Sequence, residues 1–269
     1  MLLGLHHVTA LAGPVQANLD YYTQVVKLRL VKRTVNFDDP GTYHFYFGDQ
    51  AGAPGTLLTF FPGFQRLPKR GSGQIVSVGY ACPAPEGSVS DPDGLDISVV
   101  NGESPELRSV TLCERDLEST AHFLGMLGFE PAGVEGNRHR FELAAGNARV
   151  DILHEPEAER GKLGAGAVHH VAFRVKDEAS QLDWRNRLMK AGVHVSPVKD
   201  RRYFHSIYFR EPGGALFEIA TDGPGFLIDE PEAALGTSLC LPPWLEPTRE
   251  SIEARLSPLD LAPYEATLS

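Results

Sequence analysis

Gly4-Leu5-His6-His7-Val8-Thr9-Ala10, near the start of the chain, is echoed by Ala167-Val168-His169-His170-Val171-Ala172-Phe173 far along it. Both read as apolar strands carrying a histidine pair, and each leads into an amphipathic stretch. A third segment, Gly213-Gly214-Ala215-Leu216-Phe217-Glu218-Ile219, sets an acid inside an apolar run, where an unpaired carboxylate is costly. Alternation along a strand separates His170, Ala172 and Arg174 from His169, Val171, Phe173 and Val175. By the same parity His7 pairs with Thr9, and Glu218 lies opposite Phe217 and Ile219. His7, His170 and Glu218 are then the set that faces one cavity, and two imidazoles with one carboxylate form a metal site with open positions.

Working outward, the unit containing each histidine pair repeats as strand, helix, then three strands. Module 1 covers residues 1–63, with a helix around Val15 to Lys27 on Leu19, Tyr22 and Val26 and strands through Leu30–Val35, Thr42–Phe47 and Thr56–Phe61. Module 3 covers 105–156, with a helix on Leu117, Phe123 and Leu127. Module 4 covers 165–223, with a helix on Leu182, Arg185 and Met189. Residues 74–101 read as a shortened module 2 that has lost its helix and middle strands, and 224–269 as an extension wrapping the surface. Asp91-Pro92-Asp93-Gly94 and Glu211-Pro212-Gly213-Gly214 are turn chemistry before a closing strand. The expected fold is α+β: βαβββ modules forming two cup-shaped mixed β-sheets, or half-barrels, with helices outside. At the positions of the two inner histidines modules 2 and 3 carry Ser77 and Ser109, and at the position of Glu218 the first three modules carry Thr59, Ser98 and Asp151. Modules 1 and 4 are therefore expected to share the metal cup, leaving modules 2 and 3 to form the other half.

Composition narrows the function classes. The 269 residues are 42% hydrophobic and 22% charged, enough for a sizeable core. A formal net charge of −10 speaks against nucleic acid and anionic membranes as partners. Cys82, Cys113 and Cys240 are scattered and odd in number, so neither a disulfide framework nor a thiolate zinc site is indicated. The N-terminus lacks a basic start and no apolar run is long enough to span a bilayer, which fits a cytoplasmic protein.

The sequence resembles the vicinal oxygen chelate superfamily, which includes glyoxalase I, bleomycin and fosfomycin resistance proteins and type I extradiol dioxygenases. The resemblance rests on the two histidine strands, on Leu30–His44 with its string Val35-Asn36-Phe37-Asp38-Asp39-Pro40-Gly41-Thr42-Tyr43, on Gly55–Pro62, and on Leu241-Pro242-Pro243-Trp244-Leu245-Glu246. It is nearest to the ring-cleaving hydroquinone dioxygenase branch. The resemblance implies an Fe(II) ion on His7, His170 and Glu218, with Mn(II), Zn(II) or Ni(II) as possible substitutes. It also implies that His6, Thr9, His169, Arg201 and Tyr208 stand near the substrate.

The expected activity is therefore opening of a hydroquinone or catechol ring with O2, in a protein that could assemble as a homodimer or higher homo-oligomer. His6 or His169 would relay a proton, Tyr208 would donate a hydrogen bond, and Arg201 would hold a phenolate or an acidic product. A glyoxalase-like isomerase or thiol transferase is the alternative, but its fourth ligand position holds Thr59 here. A metal-free binding protein of the resistance type is a third reading, against which stands retention of all three ligands. His44, His122, His139, His154, His194 and His205 show no paired pattern and read as surface residues. Arg66, Lys69 and Arg70 read as a solvated loop, and Tyr21, Tyr22, Phe45 and Phe47 as core.

Overall fold

The computed structural model describes residues 1–83, 86–144 and 148–265. Strands β1 (Leu5–Ala12), β2 (Arg29–Asn36), β3 (Asp39–Gly48) and β4 (Leu57–Pro62) come from the first module. β5 (Gln74–Cys82), β6 (Gly87–Ser90) and β7 (Asp96–Asn101) follow, then β8 (Glu106–Glu114), β9 (Phe129–Glu135), β10 (Arg138–Leu143) and β11 (Arg149–His154). The last module supplies β12 (Val168–Val175), β13 (Lys199–Asp200), β14 (Phe204–Arg210) and β15 (Leu216–Pro224). One eight-stranded sheet has the order β13-β14-β15-β12-β1-β4-β3-β2, and one seven-stranded sheet β6-β7-β5-β8-β11-β10-β9. Both are mixed. β1 runs parallel to β4 and β12 to β15, while β1 and β12 meet antiparallel at the centre of the larger sheet.

The helices are few and locally determined. α1 (Val15–Asp20) continues into a wider turn over Tyr21–Val25 and buries Leu19 and Tyr22. α2 (Leu117–Leu127) starts at Asp116, whose carboxylate accepts the Ser119 amide at 3.0 Å, and stops at Gly128, whose φ of 94° suits a residue without Cβ. α3 (Glu178–Lys190) starts likewise at Asp177. Its buried face is Gln181, Trp184 and Leu188, whereas Leu182 and Met189 are half exposed, so the stripe expected on Leu182, Arg185 and Met189 is displaced by one position. Short helices α4 (Arg249–Glu253) and α5 (Ala262–Glu265) lie in the C-terminal extension, whose last four residues fall outside the described set.

The apolar faces of both sheets merge with the helices in one core containing Val8, Val78, Val110, Phe123, Val171, Phe173, Trp184 and Phe217. Tyr22, Phe45 and Phe47 belong to it, and Tyr21 packs against it. The polar faces of the two sheets are left as concave surfaces. Among the described residues of 74–101 there is no helix, but a middle strand, the exposed β6, is present where none was expected. The two turns match in detail: Asp91 accepts from the amides of Asp93 and Leu95, and Glu211 from those of Gly213 and Ala215. No helix among the described residues is long and apolar enough to cross a membrane.

Candidate metal centre

Strand alternation alone does not explain why both histidines of each pair sit near one site. The β1–β12 ladder does. Leu5 faces Phe173 and His7 faces Ala172, so His6 is an extra residue, and Thr9 faces His170 while Ala10 faces Val168, so His169 is another. Each outer histidine is thus the inserted residue of a β-bulge, a local fault that re-aims side chains. The expectation that His169 shares the core face of Val171 fails for this reason. His169 lines the same cavity as His170.

The inner pair and the acid converge. His170 Nε2 lies 3.0 Å from Glu218 Oε2, His7 Nε2 lies 3.4 Å from it, and the two Nε2 atoms are 3.2 Å apart. All three residues are buried, Glu218 completely. Glu218 Oε1 accepts a 2.5 Å bond from Ser206, whereas buried Oε2 has no hydrogen-bond partner. Ligand atoms about 2.1 Å from one ion and at right angles around it would be about 3.0 Å apart, so the triangle has the size a cation requires. Burial opposes the charge on Glu218, but the adjoining imidazoles, when protonated, hold its carboxyl well below the usual range.

The outer histidines set the proton positions. His6 Nε2 lies 3.2 Å from the Thr221 carbonyl, which can only accept, so His6 donates there. Burial, reinforced by the neighbouring His7, lowers the His6 pKa to about 3, so its ring is neutral and its Nδ1 is bare. His7 Nδ1, 2.9 Å away, must then carry the proton, leaving a lone pair on Nε2 toward Glu218. His169 Nδ1 makes the corresponding 2.7 Å contact with His170 Nδ1. Its pKa is likewise depressed to about 3 by burial and by His170.

A cavity of about 480 Å³ opens onto the centre. Phe37, Phe61, Phe64 and Phe204 supply apolar wall, and Arg201, Tyr208 and His44 supply polar groups. Arg201 Nε donates to the Tyr208 hydroxyl at 3.0 Å and its Nη2 to Asp38 at 2.7 Å. Burial raises the Tyr208 pKa, and the Glu218 charge raises it further. Thr9 also reaches the centre, its hydroxyl 3.0 Å from His170 Nε2.

His44 was not legible in the sequence. It is buried, lines the cavity and bonds to Thr59 at 3.0 Å; Thr59 bonds to Thr9 at 2.7 Å, so a chain of three side chains runs from the wall to His170. The strand pattern of β3 could have found it, because His44 and Tyr46 alternate with the core residues Phe45 and Phe47. Arg66 is exposed in its loop, as expected, and also lines the cavity. His6 does not line the cavity; it stands behind His7. A second group of possible ligands, Asp229, Glu230 and Cys240, surrounds the buried ammonium of Lys32, which bonds Asp229 at 2.6 Å and also bonds Glu230. That cluster already holds an internal cation.

A family model described as the glyoxalase/bleomycin resistance protein/dioxygenase superfamily matches residues 106–219. MhqO of Bacillus subtilis, assigned to the ring-cleaving dioxygenases, is 39% identical, with 96% of this chain and 97% of its own length covered. The chain belongs to this superfamily. Within the glyoxalase/dioxygenase superfamily, the chlorohydroquinone/hydroquinone 1,2-dioxygenase of Sphingobium indicum is 31% identical over 93% of this chain and 94% of its own. A crystal structure of a protein assigned as a dioxygenase, from Bacillus subtilis subsp. subtilis str. 168, superposes with a TM-score of 0.90 at 38% identity, covering 97% and 98% of the two chains. Glyoxalase I from Zea mays superposes at 0.60 with 13% identity over 81% of this chain and 92% of its own, a likeness of superfamily fold. Within the superfamily the chain stands with the ring-cleaving dioxygenases.

Proposed function

We propose that the chain is an Fe(II)-dependent, extradiol-type dioxygenase that opens the ring of a hydroquinone or catechol with O2, and that His7, His170 and Glu218 hold the iron. The observation that carries this reading is the buried triangle of donor atoms at the floor of an aromatic-walled cavity, with Arg201 and Tyr208 beside it. Bound there, Fe(II) supplies a Lewis-acidic, redox-active centre with positions left for a phenolic oxygen and for O2.

The chain's own residues do the rest. Tyr208 accepts from Arg201, so its own proton is available to a substrate oxygen in the cavity. The Arg201 guanidinium, fixed by Asp38, offers positive charge to a phenolate or to the carboxylate of a ring-opened product. His169, on the wall and neutral, accepts at Nδ1 from His170, so its Nε2–H is left as a donor to a substrate oxygen. His6 has a different part: both its ring nitrogens are engaged, and it fixes the tautomer of His7. The phenylalanines exclude water and cover the faces of a ring.

A glyoxalase-like isomerase fits less well, because the fourth ligand position is Thr59 and its hydroxyl is engaged by Thr9 and His44. The test is anaerobic loading with Fe(II), then oxygen-electrode and absorbance assays with hydroquinone, a methylated or chlorinated hydroquinone and catechol. Stoichiometric O2 uptake with a ring-opened chromophore, lost in His170→Ala, is expected. Iron bound without uptake on any of these substrates would sink the reading.

A further inference from the structure

The second concave sheet repeats the construction of the metal cup and changes its chemistry. In the first cup Glu218 lies beside Ala172 on a parallel strand and opposite Tyr208 on an antiparallel one. In the second, Asp151 lies beside Thr111 on a parallel strand and opposite Arg140 on an antiparallel one. Arg140 thus takes the place of Tyr208, and Arg138 that of Ser206, which bonds the carboxylate of the first cup. Ser109 and Ser77 stand where His170 and His7 stand. The bulge repeats as well: Gly79 faces Ser109 and Tyr80 faces Leu107, so Arg108 is the inserted residue, as His169 is in β12.

The result is a surplus of guanidinium around one acid. Arg138 Nη1 lies 3.0 Å from Asp151 Oδ2, and Arg149 Nε and Arg140 Nε lie 3.2 and 3.8 Å from Oδ1. Asp151 is 2% exposed and the three arginines 35–37%. Asp151 Oδ1, Arg140 Nε and Arg149 Nε are buried without hydrogen-bond partners, so two of the three arginines sit beside the acid rather than forming the forked pair that would satisfy both. Three positive charges face one negative charge in a partly dry cup, on a protein whose net charge is −10. A cavity of about 380 Å³ is lined by Arg149 of the three, together with Arg108, Ser98, Ser109 and the exposed Glu142, and Arg108 is paired to Glu106.

We infer that the second cup is an anion-binding site for a small carboxylate or phosphate monoester, held in this cavity by Arg149 and the serines and drawn there by the neighbouring charges of Arg138 and Arg140. The inner face that selects a cation in one half of the molecule selects an oxyanion in the other, because serines replace the imidazoles and guanidiniums flank the remaining acid. The site is independent of the ring-cleavage reading.

Isothermal titration of the intact protein with inorganic phosphate and, separately, with succinate tests this. Saturable binding of one anion per chain is expected, at least tenfold weaker in Arg140→Gln/Arg149→Gln. Asp151→Asn removes the acid at the centre of the cluster and is expected to tighten the same anion. That variant protects the test against loss of fold in the arginine pair, since a merely structural Asp151 would not raise affinity. Binding of phosphate alone, or of succinate alone, identifies the source of the oxyanion. The proposal is overturned by absence of saturation with both probes up to about 10 mM, by binding that the arginine substitutions leave intact, or by weaker binding in Asp151→Asn.

Discussion

The Nε2 atom of His6 and the carbonyl oxygen of Thr221 lie 3.2 Å apart, and that one contact dictates which nitrogen of His7 is free. A carbonyl has no proton to give, so the orientation passes from β15 through His6 to His7. His6→Gln or His6→Phe breaks the relay without touching the ligand atoms. Fe(II) affinity, measured by competition with a coloured chelator, is expected to fall about 10- to 100-fold. Unchanged affinity would show that His7 keeps its tautomer unaided.

Metal removal has a stability readout separate from turnover. An ion that binds only the folded chain adds stability by mass action, about 2.7 kcal/mol at a hundredfold excess over Kd. Adding Fe(II) or Mn(II) to the apo protein is expected to raise its melting temperature by several degrees, and chelation to reverse the gain. In Glu218→Gln and His170→Ala the shift should vanish. A full shift in either variant would place the ion elsewhere.

Glu114, at the end of β8, gives a pH dependence far from the cavity. It is 1% exposed, and burial together with the neighbouring Glu211 raises its carboxyl to about 8. The folded protein therefore holds a proton there that the unfolded chain releases near pH 4.5. The stabilising contribution is complete below that pH and is lost as pH rises toward 8. Glu114→Gln should flatten the fall in melting temperature between pH 5 and 9 and raise the melting temperature at pH 9. Parallel melting curves for the two proteins across that range would contradict the assignment.

Much of this molecule is written locally. The histidine strands, Leu216-Phe217-Glu218-Ile219 and the helix starts at Asp116 and Asp177 declare their conformations through alternation and capping, which depend on near neighbours. The alternation of β3 gives the face of His44 but not its burial, which depends on which strands curl around it. The bulges at His6 and His169 are equally invisible to period-two reasoning, since an inserted residue is defined only against the strand it faces. Lys32 shows the same limit: its burial at 0% exposure depends on Asp229 and Glu230, roughly two hundred residues away in sequence.

The chain from His44 through Thr59 and Thr9 to His170 separates a polar role from a packing one. Thr59→Val keeps the shape and removes the middle hydroxyl, leaving buried partners unsatisfied at a cost of about 1–3 kcal/mol in stability. Metal content is expected to be unchanged while kcat falls, because Thr9 loses the contact that fixes its hydroxyl against His170. Thr59→Ser should restore both. A Thr59→Ser variant as impaired as Thr59→Val would show that the methyl group, and not the hydroxyl, matters.

Tyr208 and Arg201 carry the prediction most specific to ring cleavage. Arg201 donates to the phenol oxygen, so the Tyr208 proton is the one free to meet substrate, and burial with the Glu218 charge keeps that proton in place. Tyr208→Phe keeps the ring against His170 and deletes the donor. A bond made mainly as charge grows on the substrate oxygen should lower kcat by about 10- to 100-fold with a smaller change in KM. Arg201→Lys keeps a charge but loses the fork that joins Tyr208 to Asp38, so it should raise KM for the aromatic substrate more than it lowers kcat. The two variants thus separate along different kinetic constants, and identical losses in both would mean that Arg201 acts only by holding Tyr208 in place.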